Sequence, residues 1–161
     1  MRELKYSEFL RLNKELGTNL KSNPYNITIL SNITVHQIME ILEYPLRTEG
    51  LNANVEIGGY DNIVQDSKKY QDSNTVIVFW ELSNIVDGLQ FKIELLNNDQ
   101  LDEILEKTKS EIDLVLKNLE KTSLVLINKF TDLHFCSFNL RKNNLEKLAD
   151  QLNQYLEDKI S

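Results

Sequence analysis

Asn26-Ile27-Thr28-Ile29-Leu30-Ser31-Asn32-Ile33-Thr34 and Thr75-Val76-Ile77-Val78-Phe79-Trp80-Glu81-Leu82-Ser83-Asn84 decide the reading of this 161-residue chain. Each stretch is an apolar, β-branched run followed at once by polar residues. Strands buried on both faces read this way, and such strands belong to parallel sheets covered by helices. Polar residues collected where two such strands end form the kind of rim at which open α/β sheets bind ligands. Ser31, Asn32, Thr34, Glu81, Ser83 and Asn84 are therefore the candidate ligand-binding residues, and Ser31 and Thr34 the hydroxyls considered as nucleophiles.

Outward from these runs, strand and helix alternate. Residues 7–16 carry Phe9, Leu10, Leu12 and Leu16 at helical spacing, with Ser7 as N-cap and Gly17 just past the end. After the first strand, Thr34-Val35-His36-Gln37 fits a capping box, so a helix is expected from Thr34 with Ile38, Met39, Ile41, Leu42 and Leu46 buried. Pro45 should kink that helix or end it early, and Gly50 marks its exit. Ala53–Ile57 alternates as a half-exposed edge strand, and Gly58-Gly59 closes it. A short polar helix follows over 61–70, then the second quoted strand, ending at Trp80 as a core residue. The longest helix is expected over 99–121, a fourth buried strand over 124–127, and a last helix from Asn144.

Alternation of this kind predicts right-handed βαβ units. The expected fold is α/β, a three-layer sandwich around a mainly parallel sheet of strand order 2-1-3-4, flavodoxin-like or SGNH-like. Residues 1–161 are expected to form one domain, and the helix at the end, with no strand after it, suggests part of a longer protein. The edge where a fifth strand would lie is an expected contact for a second domain or a second copy, a homodimer being the second case.

Hydrophobic residues make up 41% of the chain and charged residues 27%, which excludes a disordered or collagen-like polypeptide. The net charge of −7, with Lys and Arg scattered among acids, argues against nucleic acid as a partner. No apolar run is long enough to span a membrane or serve as a signal peptide, and the single cysteine, Cys136, suits a reducing compartment, so a cytoplasmic location is expected.

Ile27-Thr28-Ile29-Leu30-Ser31-Asn32-Ile33-Thr34 followed by Gly59-Tyr60-Asp61-Asn62-Ile63-Val64-Gln65-Asp66 resembles the N-terminal region of FkbH-like proteins. The likeness extends through Thr75–Phe79, Leu126-Ile127-Asn128-Lys129-Phe130 and Leu152-Asn153-Gln154-Tyr155-Leu156, and so covers most of the chain. Those proteins begin with an SGNH-hydrolase-like domain and continue into a haloacid-dehalogenase-type (class IIIC) domain. The resemblance implies biosynthesis of polyketides or surface glycans, with the second domain handling an acyl or glyceryl group, an acyl carrier protein as partner, and Mg in that second domain. It implies no cofactor in this chain, because the Asp-x-Asp pair of the second domain occurs nowhere in it.

In active SGNH enzymes the first strand ends in a Gly-Asp-Ser turn. Here the turn is Ser31-Asn32-Ile33, which puts Ile33 near the nucleophile's position, and the family's Asp-x-x-His would follow a fifth strand, past Ser161. The first expectation is therefore a catalytically degenerate accessory domain that positions a carrier or substrate for the haloacid-dehalogenase-like domain, the chain itself not being an enzyme while the parent protein is one. The alternative is an active esterase or acyltransferase using Ser31 or Thr34, with Asn84 as oxyanion support.

Four further residues are weighed against plainer roles. His36 is expected in the first turn of the helix, exposed or packed, with contact to a ligand as the alternative, and Tyr60 could close over the rim or simply cover apolar surface. His134 and Cys136 stand two residues apart in Asp132-Leu133-His134-Phe135-Cys136, too few ligands for a zinc site and more readily explained as loop packing.

Overall fold

The computed structural model describes residues 5–131 and 144–160. Four parallel strands, β1 (Tyr25–Ser31), β2 (Ala53–Ile57), β3 (Thr75–Phe79) and β4 (Leu124–Ile127), form one sheet of order β2-β1-β3-β4. The helices are α1 (Tyr6–Asn19), α2 (Ile38–Thr48), α3 (Ile63–Lys69), α4 (Leu89–Lys92), α5 (Asn98–Asn118) and α6 (Asn144–Ile160), with 3₁₀ turns at Leu82–Asn84 and Ile93–Leu95. The expected α/β sandwich and strand order are observed. His134 and Cys136 lie outside the described residues.

Strand register explains the two cores. Ile27, Ile29, Ala53 and Val55 turn to the face covered by α2, where Ile38, Met39, Leu42 and Leu46 pack on them. Leu30, Val76 and Val78 turn the other way, onto Ile112 and Val115 of α5, Leu119 just past its end, and Leu148, Leu152 and Leu156 of α6. β1 is buried on both faces, and β3 is buried through Val76 and Val78 on one face and partly covered at Ile77 and Phe79 on the other, which suits their non-alternating apolar sequences.

β4 departs from expectation. Leu124 and Leu126 are 46% and 48% exposed, so this strand is covered on one face only, because no helix lies over it on the α2 side among the described residues. Ile41, expected in the core, is also exposed, since α2 faces the sheet through Ile38, Leu42 and Leu46. α1 is longer than expected and starts after Lys5 rather than Ser7. Gly17 sits inside it, where the Arg47 guanidinium passes 3.0 Å from the position a Cβ would take.

α2 begins at Ile38, after a turn in which the Ile38 N–H donates to the Val35 carbonyl, and Thr34 does not cap it. Val35 is buried against the sheet and draws that turn inward, so the helix starts one turn later than the Thr34–Gln37 spacing predicts. Nor does Pro45 end the helix. It occupies an exposed position near the C-terminus, where only one backbone bond is lost, and the helix runs to Thr48 and leaves through Gly50 at φ +86°.

The outer edge of β2 is finished by side chains. Arg47 donates from Nε and Nη2 to the Ala53 carbonyl (3.1 and 2.8 Å), while Glu43 Oε1 accepts the Val55 N–H (3.2 Å). The two side chains pair at 2.9 Å, each 13% exposed, and both bond Asn13 of α1. The cluster thus seals the edge against strand addition and ties α1 to α2. Removing one member leaves the other charge buried. Arg47→Ala should therefore cost about 3 kcal/mol in urea unfolding, and Arg47→Lys should recover little of it because it lacks the planar fork that reaches two acceptors.

Candidate functional site

The rim at the C-terminal ends of β1 and β3 collects five of the six expected residues. Ser31 closes β1 and is buried, its hydroxyl donating to the Ile33 carbonyl at 2.7 Å. Asn32 is wholly buried. Its side-chain amide donates to the Glu81 carbonyl (2.9 Å), while its oxygen accepts the Glu81 N–H (2.7 Å), so one side chain reproduces both bonds of a strand pair. Glu81 Oε1 accepts the N–H (3.4 Å) and hydroxyl (3.2 Å) of Ser83 and so caps the 3₁₀ turn. Asn84 donates its amide to the Asn32 carbonyl at 3.0 Å. Thr34 stands apart, exposed, and among the described residues its hydroxyl makes no hydrogen bond.

The Asn32 arrangement is repeated along the rim. Asn128, just past β4, accepts the Trp80 N–H (2.7 Å) and donates to the Trp80 carbonyl (3.1 Å). Asn153 of α6 does the same to Phe130 (2.7 and 2.9 Å). Three asparagines thus satisfy peptide groups that the strands have stopped pairing, which buried backbone requires. Asn128 and Asn153 were not expected to act here, although Leu30-Ser31-Asn32 and Leu126-Ile127-Asn128 share an asparagine just beyond an apolar run.

The loop after β2 is organised by a further unexpected residue, Asp66. Its buried carboxylate accepts the Gly59 N–H at 2.6 Å and the Asn62 amide at 3.1 Å. A Cβ on Gly58 would lie 2.6 Å from that carboxylate, so glycine is required there. The loop then carries Asp61 at φ +53°, and its N–H donates to the Ser31 carbonyl at 3.1 Å. Tyr60 is 67% exposed and His36 is exposed, so neither covers the rim.

Above β3 and β4 the rim is filled by apolar packing. Leu82, Leu89, Ile93, Phe130 and Leu145 join the core around Trp80, whose ring lies 6.2 Å from that of Phe130. Leu89 and Ile93, at i and i+4, are the sequence signal for the helical turns over 82–95, which were not among the expected elements. A cleft of about 170 Å³ remains on the α3–α5 side, lined by Asp61, Gln65, Trp80, Ile85, Lys107 and Glu111. Burial holds the Glu111 carboxyl above the usual glutamate range and Asp61 adds to this, with Lys107 opposing. A larger cleft, about 270 Å³, lies between the first turns of α5 and α6, away from the expected residues.

Chemically, this rim is a hydrogen-bonded seam. The Ser31 hydroxyl is committed as a donor, Asn32 has both ends occupied, and no base bonds either hydroxyl considered as a nucleophile. Among the described residues no group of three or more His, Cys, Asp or Glu is placed to hold a metal ion, and no helix is long and apolar enough to cross a membrane.

No family model and no curated protein matches the sequence. Among solved structures, the fold is similar to the N-terminal part of the protein BF1531 from Bacteroides fragilis, a crystal structure containing a phosphatase domain complexed with Mg. The TM-score is 0.63 at 11% identity, over 98% of this chain and 41% of that one. At that identity the likeness is one of fold, and the chain spans about two fifths of the BF1531 fragment.

Asn32→Ala should cost about 3 kcal/mol in denaturant unfolding, since it strands a buried N–H and carbonyl, while Thr34→Ala should stay within about 0.5 kcal/mol. Glu111→Gln should raise the midpoint of thermal unfolding at neutral pH. A carboxyl whose folded pKa is raised loses stability as pH climbs from the ordinary value through the raised one, so the gain should vanish on acidification below about pH 4.

Proposed function

We propose that the chain is a catalytically degenerate SGNH-like accessory module of an FkbH-like biosynthetic protein, acting in a polyketide or surface-glycan pathway. It positions a carrier or an acyl or glyceryl substrate for a haloacid-dehalogenase-type domain further along the same polypeptide. The observation that carries this reading is the state of the rim. Ile33, near the nucleophile's position, packs into the core under α2, and the Ser31 hydroxyl and Asn84 amide are spent on the carbonyls of Ile33 and Asn32. Side chains that a hydrolase would aim at substrate here hold the loop together.

The likeness of fold to a protein containing a phosphatase domain, of which this chain matches only the smaller part, is consistent with such an arrangement. Mg belongs to that second domain. The sequence has no Asp-x-Asp, and among the described residues no group of three or more His, Cys, Asp or Glu is placed to hold a metal ion. An acyl carrier protein is the partner that suits an acyl substrate, and the exposed Asn84 and Thr34 mark the side of the rim it would approach.

Hydrolysis of p-nitrophenyl acetate and butyrate tests the reading. The chain should show no turnover above buffer, and Ser31→Ala and Thr34→Ala should be indistinguishable from the parent. Turnover that disappears in either variant while the circular dichroism spectrum is unchanged would establish the esterase alternative instead.

A further inference from the structure

Several parts of the chain meet at the cleft on the α3–α5 side. The loop after β2 brings Asp61 and the first turn of α3 brings Ile63, while Trp80 follows β3 and Ile85 follows the 3₁₀ turn. Lys107 and Glu111 stand one turn apart on α5. The volume is about 170 Å³. A cavity of similar size holds benzene, so there is room for a molecule of up to about six heavy atoms.

Polar groups around this cleft lack partners. Trp80 is 5% exposed, and its backbone N–H and carbonyl both bond Asn128, but its indole N–H makes no hydrogen bond among the described residues. A buried indole N–H ordinarily meets an acceptor. Asp61 is held through its backbone, whose N–H donates to the Ser31 carbonyl, and its carboxylate accepts no hydrogen bond among the described residues. Glu111 Oε1 lies 3.9 Å from Lys107 Nζ, beyond hydrogen-bond reach.

Charge indicates what fits there. Two carboxylates against one ammonium leave the cleft net negative when all three are ionised. Burial raises the proton affinity of Glu111, Lys107 opposes this and Asp61 adds to it, as like charges turned to one space do. The wall behind them, formed by Ile63, Trp80 and Ile85, is largely apolar and weakens screening. No third His, Cys, Asp or Glu among the described residues joins the two carboxylates to hold a metal ion. An organic cation with several donors answers both carboxylates, provided it also carries an acceptor for the indole.

The geometry points to the α3–α5 cleft as a binding site for a small 1,2-amino alcohol, its ammonium held between Asp61 and Glu111 and its hydroxyl oxygen accepting from the Trp80 indole N–H. An ammonium offers three donors, enough for both carboxylates. A neutral alcohol of the same size leaves the negative charge unanswered, and a simple alkylamine leaves the indole N–H unpaired. The site is separate from the Ser31–Asn84 seam and stands whether or not the chain serves a biosynthetic partner.

Trp80 is the only tryptophan in the sequence, so its indole N–H gives a single magnetic-resonance signal that reports on the cleft. Titration of the 161-residue chain with ethanolamine in about 0.1 M NaCl, where long-range attraction to the net charge is screened, should move that signal saturably, with a half-point of about 1 mM. Propylamine and 1-propanol have the same number of heavy atoms but lack one group each, and should need at least about 10-fold more. Glu111→Gln and Asp61→Asn should each weaken ethanolamine at least about 10-fold. Both variants should fold, since glutamine removes a charge that burial disfavours and asparagine tolerates the φ of +53° at residue 61. No shift, or one that climbs without saturating and follows acidic residues over the whole surface, would reduce the effect to counter-ions and overturn the site. Variants that bind as the parent does would overturn the roles of Asp61 and Glu111, and propylamine binding as tightly as ethanolamine would overturn the contact with Trp80.

Discussion

The pair of hydrogen bonds from the Asn32 side chain to the Glu81 backbone sets the form of the rim. A carboxamide has the donor and acceptor of a peptide group at nearly the same spacing, so an asparagine just beyond a strand can extend the pairing by one rung without extending the strand. Asn128 and Asn153 repeat the device toward β4 and α6. With these rungs in place the loops after β1 and β3 are held together from within. Asn84 and Ser31 are then drawn into bonding the same short loop. In this chain the requirement that buried backbone be satisfied takes up the groups that would otherwise face a ligand.

The same requirement explains the asymmetry of the sheet. Two charged side chains, each largely buried and each bonded to backbone as well as to the other, close the β2 edge. A buried pair of this kind adds little net stability over apolar packing, but it denies the edge to another strand. β4 has no such closure among the described residues and is also the strand with one bare face. Both departures occur at the same strand.

Apolar side chains decide how much of the rim remains open. Leu82, Leu89, Ile93 and Phe130 build a second tier of core around Trp80, above the ends of β3 and β4. What persists is the small cleft between α3 and α5, where Asp61 and Glu111 face the same space and burial raises the proton affinity of Glu111. Asp113 is the opposite case at the surface. Its carboxyl is held below the usual range by hydrogen bonds from Lys159 and Tyr155, which join α5 to α6.

The strands and their order were legible because burial on two faces leaves a mark in sequence: Ile27-Thr28-Ile29-Leu30 and Val76-Ile77-Val78 can sit only at the centre of a covered sheet. The rim was legible too, since polar residues just past such strands have to stand at its end. What those residues do was not. A serine that donates to its own loop and one that faces a substrate have the same neighbours in sequence, and only the path of the backbone separates them. The start of α2 differs from the sequence expectation for a related reason, because the Thr34–Gln37 spacing is a local preference and the burial of Val35 overrides it. By itself, then, the sequence determined the layers, the order of strands and the position of the rim, all of which follow from the periodicity of apolar residues. Tertiary structure alone decided that the rim is closed by asparagines, that Arg47 and Glu43 finish the β2 edge and that Leu124 and Leu126 of β4 are half exposed, because each depends on how separate elements meet in space and not on local apolar periodicity.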